Sequence, residues 1–327
     1  MRRRSSRANR RAAAPLAALL ALAALAAASP AAGASARLSP GDGGAAASRT
    51  GAEVEQVRRY WTPARMRNAR PLDLVVGAGG EAHLRLGRAQ PFGATASFDP
   101  VTTPTELPYA VNGRIFLRQG KQNGYCSGTA IDTPTRRLVL TAGHCVNSGP
   151  DERNPRRSVW SRYLQFVPAY TGGVAPFGAF VARRNKVFAP KQWVKRGNPD
   201  FDLGAFLTFP NAEGVDVADA VGGGVAIALR KSRKQRFQTF GYPGKSTRMQ
   251  TCTSPFTGDD RLTYPLPGPP TLGIRCDWLP GASGGGWLID EGTEINGVNS
   301  YLHVRDKKHT YGPYFTHETV GKLVRGL

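Results

Sequence analysis

Apolar residues recur along this chain in short runs rather than long stripes. From Val101 onward, Gly113 to Leu117, Arg137 to Ala142, Leu203 to Phe209, Val225 to Leu229 and Gly286 to Ile289 stand between clusters of Gly, Pro and Asn. Short apolar runs bounded by turn residues predict strands, and many in succession predict an all-β barrel or sandwich. Residues 101–327 suit two small β-barrels with a cleft between them. Helical spacing is visible only at the end, Thr316 to Leu327, where Val320, Leu323 and Val324 share one side. Residues 37–100 are rich in Ala, Gly, Arg and Pro and have only short apolar stretches such as Leu72 to Val76. With no sustained period, they read as a largely irregular propeptide or linker.

The first residues have a different pattern. A basic start, Met1 to Arg11, precedes an Ala- and Leu-rich run from Ala12 to Ala28, and small residues follow to Ala36. This order predicts a secretory signal peptide over 1–36, cut after Ala36, and hence a secreted, extracellular protein. The run is mostly Ala, contains Pro15 and falls short of the roughly 20 strongly apolar residues of a membrane span. No second run of that length follows, so no membrane span is expected after cleavage.

Export changes how the four cysteines are read. In an oxidising compartment Cys126, Cys145, Cys252 and Cys276 predict two disulfides, with three pairings open. Their spacing lacks the paired CxxC of structural zinc, and no metal or cofactor is expected. The formal net charge is +21, spread over the whole chain. Such a field favours contact with an anionic surface or cell wall, while a merely solvated surface is the blander and preferred explanation. The basic run Arg230 to Arg236 lacks interleaved aromatics, so no specific nucleic acid is expected.

Three segments carry residues suited to acyl transfer, which needs a nucleophile, a base, a carboxylate and oxyanion donors. Gly281-Ala282-Ser283-Gly284-Gly285 sets a serine among glycines, where the backbone can turn sharply and expose the hydroxyl. The N–H groups of Gly281 and Ser283 are the oxyanion-hole candidates. The base candidate is His144, in Thr141 to Cys145, directly after an apolar strand; a bridge from Cys145 to Cys126 would fix its turn. The carboxylate candidate is Asp202, which immediately precedes the apolar run Leu203 to Phe206, with Asp200 as its competitor.

Taken together, CSGTAI at 126–131, TAGHC at 141–145, DLGAF at 202–206 and GASGG at 281–285 resemble the chymotrypsin-type serine peptidases. The order His, Asp, Ser separates them from subtilisin-like and α/β-hydrolase enzymes. Gly241-Tyr242-Pro243 and Pro168 to Phe180 resemble the bacterial glutamyl-endopeptidase-like branch. The resemblance covers about residues 101–327 and implies two six-stranded antiparallel β-barrels with a C-terminal helix. It also implies a monomeric serine endopeptidase acting on protein or peptide substrates, with His144, Asp202 and Ser283 catalytic. It places Ser300 where the family supports the triad carboxylate and lines the substrate channel. Cys126 paired with Cys145 leaves Cys252 with Cys276.

Two positions depart from the family pattern. Ala282 stands where many animal members carry an acid that pairs with a freshly cut amino terminus, so removal of residues 37–100 would act in another way, by uncovering the cleft or releasing a folding aid. Asn299 stands where glutamate-specific members carry histidine. Asp277 falls where trypsin-like members have the acid of the primary pocket, which would pair with Arg or Lys of a substrate. The rival reading is a catalytically inactive peptidase-fold protein that binds polyanions or cell-wall components.

Overall fold

The computed structural model describes residues 43–86, 98–151, 154–244, 246–263, 266–278 and 280–325. The expected signal peptide lies outside them. Residues Ala46–Leu327 form one compact unit, so the expected boundary near residue 100 does not coincide with a gap in packing. Among the described residues, no helix is long and apolar enough to cross a membrane.

The leading segment is not the largely irregular stretch that its sequence suggests. It contains helices α1 (Gly43–Tyr60) and α2 (Pro63–Asn68) and strands β1 (Arg70–Val76), β2 (Ala82–Leu86) and β3 (Asp99–Pro100). Strand β1 is buried from Pro71 to Val76. A strand covered on both faces shows a continuous apolar run rather than alternation, so its sequence carries no period to detect. Trp61, at the end of α1, donates from Nε1 to the Tyr163 carbonyl at 2.6 Å, and the Tyr60 hydroxyl donates to Asn123 Oδ1 at 2.6 Å. Tyr60 also stacks on Tyr163 with ring centroids 4.1 Å apart.

The first barrel comprises β4 (Asn112–Gln119), β5 (Gln122–Ile131), β6 (Leu138–Thr141), β7 (Arg162–Pro168), β8 (Phe180–Phe188) and β9 (Gly204–Thr208). Pairing runs β4–β5–β6–β9–β8–β7 and returns to β4, antiparallel throughout, which closes the ring, while the Gly124–Tyr125 end of β5 extends past its pairing with β6. Ile115, Val139, Phe166, Phe180 and Phe206 share one face of these strands and have no exposure. Between its strands lie α3 (Gly143–Val146) and α4 (Lys191–Arg196).

After α5 (Val217–Ala220) and the short β10 (Ala226–Ile227) comes a second antiparallel set. It contains β11 (Arg236–Gly241), β12 (Gln250–Asp259), β13 (Leu272–Ile274), β14 (Gly286–Ile289), β15 (Glu294–Val298), β16 (Tyr301–His303) and β17 (Asp306–Gly312). One path of pairing is β11–β12–β13–β17–β16, and the other is β11–β14–β15. Asn299 and Ser300 carry β15 directly into β16, so the ring closes through one interrupted strand. The second disulfide, Cys252 to Cys276, joins β12 to the residue pair following β13. The chain ends in a wide turn, His317–Gly321, continued by α6 (Lys322–Val324). Thr316 Oγ1 caps it by accepting from the Glu318 and Thr319 amides, and Val320 is fully buried beneath it.

The chain reaches Asp202 through a single 3-10 turn, Pro199–Phe201, started by Asn198, whose Oδ1 accepts from the Asp200 amide at 3.0 Å. That turn directs Asp200 and Asp202 into different surroundings. Burial, followed by the nearby Asp260 carboxylate, pushes the Asp200 carboxyl up to about 7. The folded protein therefore favours the protonated acid. That stabilisation is complete below the ordinary carboxylate range and is lost as pH rises through 7. Asp200→Asn is expected to be more stable than the parent at pH 8, on the order of 1 kcal/mol after solvent screening, and equal to it below about pH 4. Urea unfolding at the two pH values checks this.

Candidate active site

Helix α3 follows β6 after the single residue Ala142 and consists of Gly143, His144, Cys145 and Val146. Cys145 is bonded to Cys126 of β5, which ties this one turn to the barrel wall. His144, Cys126 and Cys145 lie close enough to suggest a metal site, but both sulfurs are spent in the disulfide. Gly143 is needed for close approach: a Cβ there would lie 2.8 Å from Asp202 Oδ1 and 2.9 Å from the Leu203 amide nitrogen. Trp193 of α4 backs the turn, with its ring 6.4 Å from the imidazole and its Nε1 donating to the Asn147 carbonyl at 2.8 Å.

Asp202 has no exposed surface, and three donors meet its carboxylate. The His144 amide donates to Oδ1 at 2.7 Å, His144 Nδ1 lies 2.8 Å from Oδ2, and the Ser300 hydroxyl donates to Oδ2 at 2.5 Å. The buried carboxylate thus has both oxygens met by donors. It accepts from Nδ1, and that tautomer leaves Nε2 as the free acceptor. Asp200 makes none of these bonds and lies 2.7 Å from where a Cβ on Gly268 would stand.

Ser283 lies on the loop before β14. Gly281 has φ of +101°, and a Cβ on it would run into the Tyr125 ring and the Tyr242 carbonyl, so the turn needs glycine. The loop is anchored from both sides. Ser127 of β5 donates its amide to the Ser283 carbonyl at 2.7 Å, and its hydroxyl donates to the Gly281 carbonyl at 3.0 Å. From the second barrel, Asn299 Nδ2 donates to the Phe240 and Ala282 carbonyls at 2.9 and 3.1 Å, while its Oδ1 accepts from Trp287 Nε1.

The structure joins His144, Asp202 and Ser300 by hydrogen bonds. It does not close a bond from Ser283 to the imidazole: His144 Nε2 is buried without a hydrogen-bond partner among the described residues. Such bonds are often long in the free enzyme and tighten when substrate binds. His144 is fully buried and Ser283 is 4% exposed. Asp277 is half-buried between the disulfide residue Cys276 and Trp278, whose ring stacks on Phe98. Asn299, considered from sequence as a specificity position, instead has both ends of its amide engaged in holding the Ser283 loop. Ser127 and Trp193 were given no role from sequence. Ser127 lies within the CSGTAI motif, directly after a disulfide cysteine, and that position was the available signal.

No protein-family model matches the sequence, and no curated protein does. Solved structures do match. The protease Anisep from Arthrobacter nicotinovorans is 30% identical over 63% of this chain and 90% of that one, with a TM-score of 0.54. A thermostable serine protease, AL20, from an extremophilic microorganism is 26% identical over 64% of this chain and 93% of that one, with a TM-score of 0.56. A Glu endopeptidase is similar in fold at 19% identity, over 70% of this chain and 95% of that one, with a TM-score of 0.55. With two barrels, the His–Asp pair between them and these relatives spanned almost end to end, the chain belongs to the chymotrypsin-fold serine proteases.

Proposed function

We propose that this protein is a secreted serine endopeptidase that hydrolyses peptide bonds through an acyl-enzyme on Ser283. The observation that carries this reading is the Asp202 carboxylate, buried and held by the His144 amide, His144 Nδ1 and Ser300. Nothing in a binding module requires a carboxylate to fix the tautomer of a buried histidine next to a serine loop.

In this mechanism the Ser283 hydroxyl attacks the scissile carbonyl while Nε2 of His144 takes its proton. Asp202 stabilises the imidazolium so formed without itself being protonated. The N–H groups of Gly281 and Ser283 receive the developing oxyanion. His144 then returns the proton to the leaving amine, and water repeats the sequence in reverse to free Ser283. Asp277 is the proposed acid for Arg or Lys side chains of the substrate. Ser300 both holds Asp202 and borders the channel. Two disulfides and the amino-terminal pattern at 1–36 support export.

The test compares the wild type with Ser283→Ala, both secreted, purified and incubated with an unstructured protein before and after limited proteolysis of the segment preceding Val101. Fragments are sequenced by mass spectrometry. Cuts by the wild type alone are expected, and cuts after Arg or Lys would assign the pocket acid to Asp277; equal cutting by both proteins would overturn the reading. Asp202→Asn should keep the fold and lower kcat by about four orders of magnitude, because the wrong imidazole tautomer is then held. Ser300→Ala removes one bond to Asp202 and should lower kcat about tenfold with a smaller change in KM.

A further inference from the structure

Strand β1 runs between the two barrels and pairs with both. On the first barrel Arg70 and Pro71 face Gly124 and Tyr125 of β5. On the second, Leu74, Val75 and Val76 face Tyr301, Leu302 and His303 of β16. These two edges flank the candidate catalytic residues. Strand β5 continues into Cys126, bonded to the neighbour of His144, and β16 starts one residue after Ser300, which holds Asp202. Leu72 and Asp73 therefore cross the gap at the level of the His144 turn.

The burial of the site fits that crossing. His144 is fully covered, its Nε2 makes no hydrogen bond among the described residues, and Ser283 is nearly covered. A protease whose substrate is a peptide chain needs an extended edge on each side of its nucleophile, since added-strand pairing is how a sheet takes up such a chain. Both edges are occupied here by the protein's own segment.

We propose that Arg70–Val76 is an internal inhibitor lying across the catalytic cleft in place of substrate; this rests on the peptidase reading above. Both of its ladders are parallel, the slightly weaker pairing mode, so side chains supply much of the hold. Leu72 is fully buried, and Leu74 and Val76 pack with Trp193, Phe201, Tyr301 and Tyr311. One end is fastened by Trp61 and Tyr60 to the first barrel, and the other by the antiparallel hairpin with β2. The exposed turn at Ala78 and Gly79 gives a place where a cut separates the strand from the rest of the cleft.

The inference also explains how a chain with Ala282, and thus no acid beside the nucleophile, can be held latent. Its inactive state is a covered cleft, so activation requires departure of the strand rather than formation of a new ion pair.

The test reads accessibility of the serine directly, with a biotinylated fluorophosphonate that labels an activated serine whatever the peptide preference. The full-length chain is compared with Leu74→Asp/Val76→Asp and, as a variant altered outside the cleft, Trp61→Ala. The double variant is expected to label at least about tenfold faster than the parent, and Trp61→Ala by an intermediate factor. A synthetic peptide of residues 46–86 should slow the double variant again. If the double variant fails to fold by circular dichroism, the Trp61→Ala rate and its suppression by the peptide decide the matter. Equal rates for parent and folded variants, with Ser283→Ala unlabelled, would remove the inhibitor and leave the peptidase intact. No label on any form, including one cut in the 77–80 turn and freed of the strand, would sink the peptidase reading itself.

Discussion

The buried carboxylate of Asp202 is the constraint on which the rest of the site depends. A carboxylate without solvent must have its oxygens met by donors, and here they come from three places: a main-chain amide, an imidazole and a hydroxyl. Two belong to the one-turn helix after β6, and the third belongs to the strand interruption between β15 and β16. Satisfying this one group therefore fixes the His144 turn against the first barrel and brings the second barrel to it. The absence of a Cβ at Gly143 and the wall formed by Trp193 follow from the same requirement, because a bulkier approach would leave the carboxylate short of its amide.

Much of this was legible in the sequence because the chemistry is local. The TAGHC, DLGAF and GASGG segments each hold a candidate residue beside the apolar run that positions it, and the expected strands fall at β4, β6, β9, β10 and β14. The two cysteine pairs also stand as the family resemblance implied. What could not be read depends on contacts distant in sequence. The choice between Asp200 and Asp202 is made by a 3-10 turn that sends one carboxyl toward Asp260 and the other toward His144. The part played by Asn299 arises because Trp287, Phe240 and Ala282 surround it. The amino-terminal segment was the largest gap, since α1 has a sparse apolar face and β1 is covered on both sides. Neither gives the periodic signal on which sequence reading relies.

The strongly basic composition has no counterpart in the site. The ion pairs at Arg136, Arg137, Lys231 and Arg233 lie at or near the surface, where such contacts add little stability. Among the described residues, the buried guanidinium of Arg114 is instead set among aromatic faces, with its charge centre 3.6 Å from the Tyr125 ring centroid. Burial lowers its pKa while the neighbouring tyrosines oppose that shift. Tyr125 also bounds the space at Gly281, so this cation backs the loop that carries Ser283.

Strand β5 places two consecutive residues, Cys126 and Ser127, in service of the two halves of the site. Successive side chains of a strand leave on opposite faces, so the sulfur reaches the histidine turn while the next hydroxyl reaches the serine loop. Sliding β5 by a single residue against β4 would exchange those faces, severing the cystine and unhooking the loop at once. The alignment of the first barrel is thus checked by these two bonds: a misregistered barrel could bury as much oil as the correct one and still hold neither the His144 turn nor the Ser283 loop in place.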